Sequence, residues 1–300
     1  MELWIVITIA AAAAQTVRFM VQKHLRATAL STAGATWARF LYSAPLIALG
    51  VWTYSSVTGQ AAPARGPGFW GYAVMGGLAQ ILATMCVVAL FGQRNFAVGI
   101  TFKKTEVMLT ALVGFVVLGD RITLAGGAAM ALGFVAVLWL SDPPEAAGKG
   151  LARFLNRSAG LGVLSGLFFA LSGVGYRGAV LALEGGDTAL RAGAALAVVT
   201  AGQTLGLGLW LLLREHGQVS AVLNAWRVAA LVGCFSMIGS FCWFAAFSLQ
   251  NAAYVFAVGQ IEIAFSILAA VLFFQETISR REGVGMALLA ASILMLVLLG

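Results

Sequence analysis

Long apolar runs, separated by short stretches of turn-forming or charged residues, recur along the whole chain. Ten runs lie at 3–22, 35–57, 69–91, 96–118, 122–140, 158–180, 188–213, 227–248, 252–274 and 283–299. A membrane-spanning helix needs about 20 mostly apolar residues, and none of the runs has the polar/apolar alternation of a membrane β-barrel. Because a backbone in lipid must satisfy its own hydrogen bonds, the pattern predicts an all-α integral membrane protein with ten transmembrane helices.

The composition supports this class. The 300 residues are 61% hydrophobic and only 10% charged, with a net charge of +7, whereas soluble domains are about 25% charged. The basic residues are scattered singly between the apolar runs, which is typical of membrane loops and argues against binding to nucleic acid. The expected partners are therefore the lipid bilayer and a small molecule. No residue spacing indicates a cofactor or a metal site.

The chain divides into two similar halves. Residues 1–142 and 158–300 each contain five predicted spans, and 143–157 form a linker. At a constant offset of 156 residues, Glu106 aligns with Glu262 and Asp120 with Glu276. An odd number of spans per repeat places the two halves in opposite membrane orientations, as in many secondary transporters. The pattern thus predicts two inverted five-helix repeats around a central cavity.

Charged residues inside predicted spans are the most informative feature. Lys103, Lys104 and Glu106 lie in the fourth span, where each charge costs roughly 3 kcal/mol at the bilayer centre. Of the eleven acidic residues, only Glu106 and Glu262 fall inside spans. We expect spans 4 and 9 to cross and to line a hydrated cavity. A structural clamp, in which Lys103 pairs with Glu106 one helical turn away, is the equally weighted alternative.

Other polar and aromatic residues inside spans extend the candidate site. A glutamine in a span often forms a contact between helices, and a single aromatic residue often serves only in packing. For each of these residues, a structural role is therefore the alternative to a role in the cavity. Tyr254 and Glu262, eight residues apart, are expected to share a helix face. The candidate cavity residues are Gln15, Gln80, Thr101, Lys104, Glu106, Tyr176, Gln203, Trp243, Tyr254, Gln260 and Glu262.

Two short segments carry a family resemblance. They are "LGDRITLAGG" at 118–127 and "FQETISRREG" at 274–283, which follow Glu106 and Glu262 at similar spacing. With these glutamates, the chain resembles the drug/metabolite transporter superfamily in its ten-helix form with two EamA-type repeats. That pattern has a Glu-Pro pair in the fourth helix of each repeat, and here Val107 and Ile263 replace the proline. The resemblance is strongest to bacterial exporters of aromatic amino acids, and it implies a basket of ten helices around a central cavity.

The resemblance implies a multi-pass transporter of the cell inner membrane rather than an enzyme. We expect it to export aromatic or other bulky neutral amino acids, or related metabolites, by alternating access. A multidrug efflux transporter of the same superfamily is the first alternative. A polytopic membrane enzyme is the second, although His24 and His216 lie in separate loops with no nearby cluster of His or Cys. Proton coupling and passive facilitation are both open.

The membrane orientation is also open, because two indicators disagree. With ten spans, the loops on the side opposite the chain termini carry ten Lys and Arg residues, and the loops on the side of the termini carry four. The positive-inside rule applied to the loops places both termini outside the cytoplasm. The family resemblance implies that both termini lie inside.

Overall fold

The computed structural model describes residues 2–28, 30–94, 96–113, 124–141, 157–250 and 252–299. These residues form thirteen α-helices and one two-stranded sheet, and a π-helical turn, Ala269–Phe273, continues α12. The helices are α1 Leu3–Thr28, α2 Thr32–Thr58, α3 Pro67–Leu90, α4 Phe96–Lys103, α5 Glu106–Val113, α6 Leu124–Ser141, α7 Arg157–Leu181, α8 Thr188–Arg214, α9 Gln218–Asn224, α10 Trp226–Leu249, α11 Ala252–Val258, α12 Ile261–Leu268 and α13 Arg280–Leu299.

The helical content confirms the all-α membrane class. Within the described residues, seven helical segments are long and apolar enough to cross a membrane. The predicted runs 96–118 and 252–274 are each interrupted: the first contains α4 and α5, and the second contains α11 and α12. The number of ten spans and the inverted relation of the halves stay predictions. Asp120 and residues 143–156 of the predicted linker lie outside the described residues.

Local sequence accounts for the helix ends. The Ser31 hydroxyl accepts a hydrogen bond from the Gly34 amide at 3.0 Å and caps α2, and the Asp187 carboxylate caps α8 in the same way. Both satisfy an amide that would otherwise lack a partner at the helix start. Pro67 begins α3, where its missing N–H costs nothing, and Gly59 ends α2 with a φ of 67°.

The main helix contacts join one half of the chain to the other. Helix α1 packs on α10, α2 on α8, α3 on α7, and α6 on α13. The α3–α7 pair is close at Gly76 and Gly175, where a side chain on Gly175 would come within 2.7 Å of the Gly76 Cα. Small residues of this kind let transmembrane helices approach closely. The two halves therefore share one core instead of forming separate units.

A small latch joins the two halves at one end of the bundle. Strand β1, Ala64–Arg65, pairs antiparallel with strand β2, Leu183–Glu184. Beside it, the Asp187 carboxylate accepts hydrogen bonds from the Tyr54 hydroxyl at 2.7 Å and the Gln60 amide at 2.9 Å. The pKa of the Asp187 carboxyl is lowered to about 2, because its charged form accepts hydrogen bonds from Gln60, from the Leu190 backbone N–H and from Tyr54.

The Gly76–Gly175 contact predicts a position-specific effect of alanine. We expect Gly175→Ala to lower the thermal denaturation midpoint of the detergent-solubilised protein, because forcing an extra methyl group into such a contact costs about 1–3 kcal/mol. Gly160→Ala, on the same helix with open space around its Cα, is the control and should leave the midpoint unchanged or raise it. Equal midpoints for the two variants would contradict the tight α3–α7 contact.

The latch predicts a second effect on stability. We expect Asp187→Ala to destabilise the protein by about 1 kcal/mol through loss of the helix cap, whereas Asp187→Asn retains a capping oxygen and loses less. Because the folded pKa lies below the ordinary value, the contribution should be complete at neutral pH and should disappear as the pH falls towards 2. Thermal denaturation at pH 7, with Glu184→Ala as an exposed acidic control, tests the ranking.

Candidate functional site

Two interrupted helices meet near the centre of the bundle. Helix α4 ends at Lys103 and α5 begins at Glu106, while α11 ends at Val258 and α12 begins at Ile261. Both interruptions are tight turns with hydrogen bonds between residues three apart. Helices α4 and α11 begin 156 residues apart, which is the offset that relates the two halves in the sequence.

Each interruption places an acidic residue at the start of a new helix. Glu106 lies in the first turn of α5, and Glu262 lies in the first turn of α12. The dipole of a helix gives its start a partial positive charge that favours a carboxylate. The interruptions therefore reduce the cost of holding two acidic residues at the centre of a membrane protein.

Two lysines and the two glutamates form one buried cluster. Lys103 Nζ lies 3.2 Å from a Glu106 oxygen and 3.0 Å from a Glu262 oxygen. Lys104 Nζ lies 2.7 Å from Glu262 and 3.8 Å from Glu106. None of the four side chains is more than 2% exposed. Their formal charges cancel, which is the condition under which buried ions are tolerated.

Further polar contacts tie this cluster to neighbouring helices. Gln15 on α1 donates to both Glu262 oxygens at 3.2 and 3.1 Å, and its own oxygen accepts from Arg18 at 3.2 Å. Lys104 donates to the Gly259 carbonyl at 2.8 Å, in the turn between α11 and α12. The cluster thus joins α1, both interrupted helices and the turn between α11 and α12.

A central cavity of about 30 Å³ lies beside the cluster. This free volume is comparable to the share of one water molecule in the liquid. The cavity is lined by side chains from α1, α2, α3, α4, α5, α7, α10 and α11, which are Gln15, Arg39, Gln80, Lys103, Glu106, Phe169, Ser172, Gly173, Tyr176, Ser240, Trp243, Phe244, Phe247 and Phe256. The cavity therefore combines charged, polar and aromatic surfaces.

The polar wall is a continuous network around Arg39. The guanidinium donates to the hydroxyls of Ser236 at 2.9 Å, Thr84 at 2.9 Å and Ser240 at 3.1 Å. The Gln80 amide reaches Thr84 at 3.4 Å. These bonds hold the guanidinium of a side chain that is only 5% exposed.

The opposite wall is aromatic. Trp243 stacks with Phe247 at 5.8 Å between ring centroids, and Phe256 lies 5.9 Å from Trp243. Tyr176 packs on Phe244 at 4.3 Å. Such rings offer an apolar face to a bulky solute.

Two polar atoms of the cavity lining have no hydrogen-bond partner among the described residues. They are Glu106 Oε2, an acceptor, and Trp243 Nε1, a donor. Buried polar atoms are normally paired. For these two atoms, no hydrogen bond within the described part of the chain offsets the cost of burial.

The structure brings seven of the predicted site residues to this region. Gln15, Gln80, Glu106, Tyr176 and Trp243 line the cavity. Lys104 and Glu262 lie directly behind the lining, in the ion-pair cluster. Glu106 and Glu262 both contact Lys103, and the expectation that their two spans line a hydrated transport cavity stays a prediction.

Three other predicted residues do not line the cavity, and two of them make local contacts within their own helix or turn. The Thr101 hydroxyl donates to the Ala97 carbonyl one turn earlier, and the Gln260 amide does the same to Phe256. Gln203 donates to the Gly77 carbonyl and to the Tyr176 hydroxyl. Gln203 thus supports a cavity residue without lining the cavity itself.

Tyr254 requires a correction. Its side chain is 51% exposed and does not line the cavity. The expectation that Tyr254 and Glu262 share a face assumed one continuous helix. The interruption between Val258 and Ile261 breaks the helical periodicity on which that expectation depended.

Sequence reasoning left several lining residues out of the candidate site. Arg39 is one of them, although a single charge inside the run 35–57 is a usable signal. Ser172, Ser240 and the four phenylalanines carried no signal, because such residues are common in every span. Among the described residues, no group of three His, Cys, Asp or Glu side chains could hold a metal ion.

The second half of the chain has a recognisable family pattern. Residues 156–298 match the EamA-like transporter family. This match covers slightly less than half of the chain, and it supports a relationship to the drug/metabolite transporter superfamily. It indicates a membrane transporter of small solutes. No curated protein sequence matches the chain.

The overall fold also has a solved relative. A structure described as "Crystal structure of protein" aligns with 99% of this chain and 96% of its own, with a TM-score of 0.65 and 15% sequence identity. At this identity the likeness shows the fold alone. It does show that the arrangement of both halves, and not only the family-matched half, occurs in a known structure.

The ion-pair cluster predicts strong coupling between two substitutions. We expect Glu262→Gln to lower the denaturation midpoint markedly, since removing one partner of a buried ion pair costs about 3–5 kcal/mol. Lys104→Met in the same protein restores a neutral cluster and should recover part of the loss. Additive effects in this double-mutant cycle, measured by thermal denaturation in detergent, would show that the two charges do not interact.

Proposed function

We propose that the protein exports small amphipathic metabolites, with aromatic and other bulky neutral amino acids as the preferred substrates, by alternating access. The observation that carries this proposal is the buried cavity at the crossing of two interrupted helices. In secondary transporters, interrupted helices form substrate sites near the bilayer midplane. The family match to residues 156–298 supports transport of a small solute.

The chemistry of the cavity favours an amphipathic substrate. Trp243, Phe247 and Phe256 supply an aromatic surface, while Arg39 and Glu106 supply charged groups in the same lining. A purely apolar solute would leave the charged groups unpaired, at a considerable cost. A bulky neutral amino acid has both an apolar side chain and charged groups.

Alternating access explains the small size of the cavity. A free volume of about 30 Å³ holds about one water molecule and is too small for an aromatic amino acid. Binding of such a substrate therefore requires a state in which this cavity is larger. The interruptions after Lys103 and Val258 are suitable hinges, because backbone turns absorb changes in dihedral angle more easily than continuous helices.

Contacts at the two ends of the bundle are suitable gates. At one end, Asp187 joins Tyr54 and Gln60. At the other end, Lys23 pairs with Glu276, whose carboxylate also accepts from the Phe96 amide at 2.8 Å. Helix α2 has 27 residues and so spans about 40 Å between the ends. We propose that the two sets of contacts open in turn.

Proton coupling is an open part of the proposal. Glu262 makes ion pairs with both lysines, and protonation of its carboxylate would leave Glu106 as the one carboxylate that pairs with them among the described residues. Passive facilitation needs no such step. An imposed pH gradient across proteoliposomes distinguishes the two: a change in the initial rate supports coupling, and equal rates support facilitation.

Flux measurements test the proposed function. We expect proteoliposomes that contain the purified protein to release radiolabelled phenylalanine and tryptophan saturably, and threonine more weakly. Trp243→Ala should raise the half-saturation concentration by up to about tenfold, since aromatic pairs contribute about 0.5–1.5 kcal/mol. Trp226→Ala, at a tryptophan that is 56% exposed, is the matched control.

Two outcomes would redirect the proposal. Saturable movement of ethidium without movement of any amino acid would favour the multidrug alternative. The absence of any flux from folded, monodisperse protein would overturn the transport function and leave the charged cluster as a structural clamp.

A further inference from the structure

Arg39 is a buried cation for which the structure provides no acidic partner. Among the described residues, no carboxylate oxygen lies within 4.0 Å of its guanidinium, whose three hydrogen-bond partners are the hydroxyls of Ser236, Thr84 and Ser240. Buried arginines are usually paired with a carboxylate or phosphate, since an uncompensated charge in the interior is costly. Hydroxyl groups solvate the cation but do not neutralise it.

The Arg39 guanidinium also has N–H groups beyond the three that donate to Ser236, Thr84 and Ser240. It carries five N–H groups, and the structure uses one on Nε, one on Nη1 and one on Nη2. One N–H on each terminal nitrogen is left. Arginine N–H groups form charge-assisted hydrogen bonds to carboxylates.

Glu106 offers the complementary group in the same cavity lining. Its Oε1 atom pairs with Lys103 at 3.2 Å, whereas its Oε2 atom is buried without a partner. A free carboxylate oxygen accepts hydrogen bonds from an ammonium group and supplies the opposite charge. Lys103 is a weaker anchor for an anion than Arg39, since its ammonium already contacts both Glu106 and Glu262.

We infer that Arg39 and Glu106 form a zwitterion site, in which Arg39 binds the carboxylate and Glu106 Oε2 binds the ammonium group of an α-amino acid. This inference rests on the proposed transport function and specifies its substrate class. The site would require both charged groups of the ligand. An amine without a carboxylate would leave Arg39 uncompensated, and a carboxylate without an amine would leave Glu106 Oε2 unpaired.

Ligands that lack one charged group test the inference on the unmodified protein. Competition with radiolabelled phenylalanine flux would compare phenylalanine, 3-phenylpropionate and phenethylamine, which share the same ring. We expect each analogue to compete about 10- to 100-fold less well than phenylalanine, because hydrogen bonds to charged groups contribute about 1.5–3 kcal/mol. Equal competition by all three would overturn the zwitterion site while leaving the transport function intact.

Variants then assign each charged group to its residue. Arg39→Gln should weaken competition by phenylalanine and 3-phenylpropionate but leave phenethylamine unchanged, and Arg39→Lys should recover only part of the loss because it lacks the planar fork. Glu106→Gln should weaken competition by phenylalanine and by phenethylamine. Arg214→Gln, at an exposed position on α8, is the control. The roles of Arg39 and Glu106 would be overturned if Arg39→Gln weakened competition by phenethylamine and Glu106→Gln weakened competition by 3-phenylpropionate. They would also be overturned if a folded variant lost competition equally with all three compounds.

A binding measurement separates failure of the inference from failure of the function. Ligand-induced shifts of the denaturation midpoint with the same three compounds do not depend on flux. A larger shift with phenylalanine than with either analogue supports the zwitterion site even if flux is slow. If wild-type protein shows neither flux nor a shift with any of the compounds, both the transport function and the zwitterion site are wrong.

Discussion

The mutual compensation of two lysines and two glutamates is the interaction on which the centre of the structure depends. Each of these charges alone would cost roughly 3 kcal/mol at the middle of a bilayer. The distances between lysine Nζ atoms and glutamate oxygens are 2.7–3.8 Å. At these distances the four side chains form a neutral group that the interior can hold. Because Lys103, Lys104 and Glu106 belong to one half of the chain and Glu262 to the other, the same contacts fix where the halves meet.

The interrupted helices provide the backbone for this arrangement. A continuous helix would carry Glu106 and Glu262 in its middle, away from the positive end of the helix dipole. An interruption creates a helix start at each glutamate, and its partial positive charge favours the carboxylate. The Gly259 carbonyl, in one of the interruptions, accepts hydrogen bonds from both the Glu262 amide and the Lys104 ammonium. Local backbone geometry and the charged cluster thus stabilise each other.

The charges of the cavity lining divide into two groups with different consequences. Lys103 is neutralised inside the cluster, so its contribution is mainly structural. Arg39 is held by hydroxyls alone, and Glu106 has one occupied and one free oxygen. The structural-clamp and transport interpretations are therefore not exclusive. The cluster holds the helices together, and Glu106 also belongs to the cavity lining.

The membrane class and the approximate helix positions follow from the length of the hydrophobic runs, which is a local signal. The equivalent positions of Glu106 and Glu262 follow from internal repetition, which is visible along the sequence alone. The sequence also pointed to Gln15, Gln80, Tyr176 and Trp243 as polar or aromatic residues within apolar runs. Only the tertiary structure decided that Arg39 lines the cavity and that Tyr254 does not. Which helix faces converge depends on packing between distant segments and on the interruption after Val258, and neither follows from periodicity along one helix.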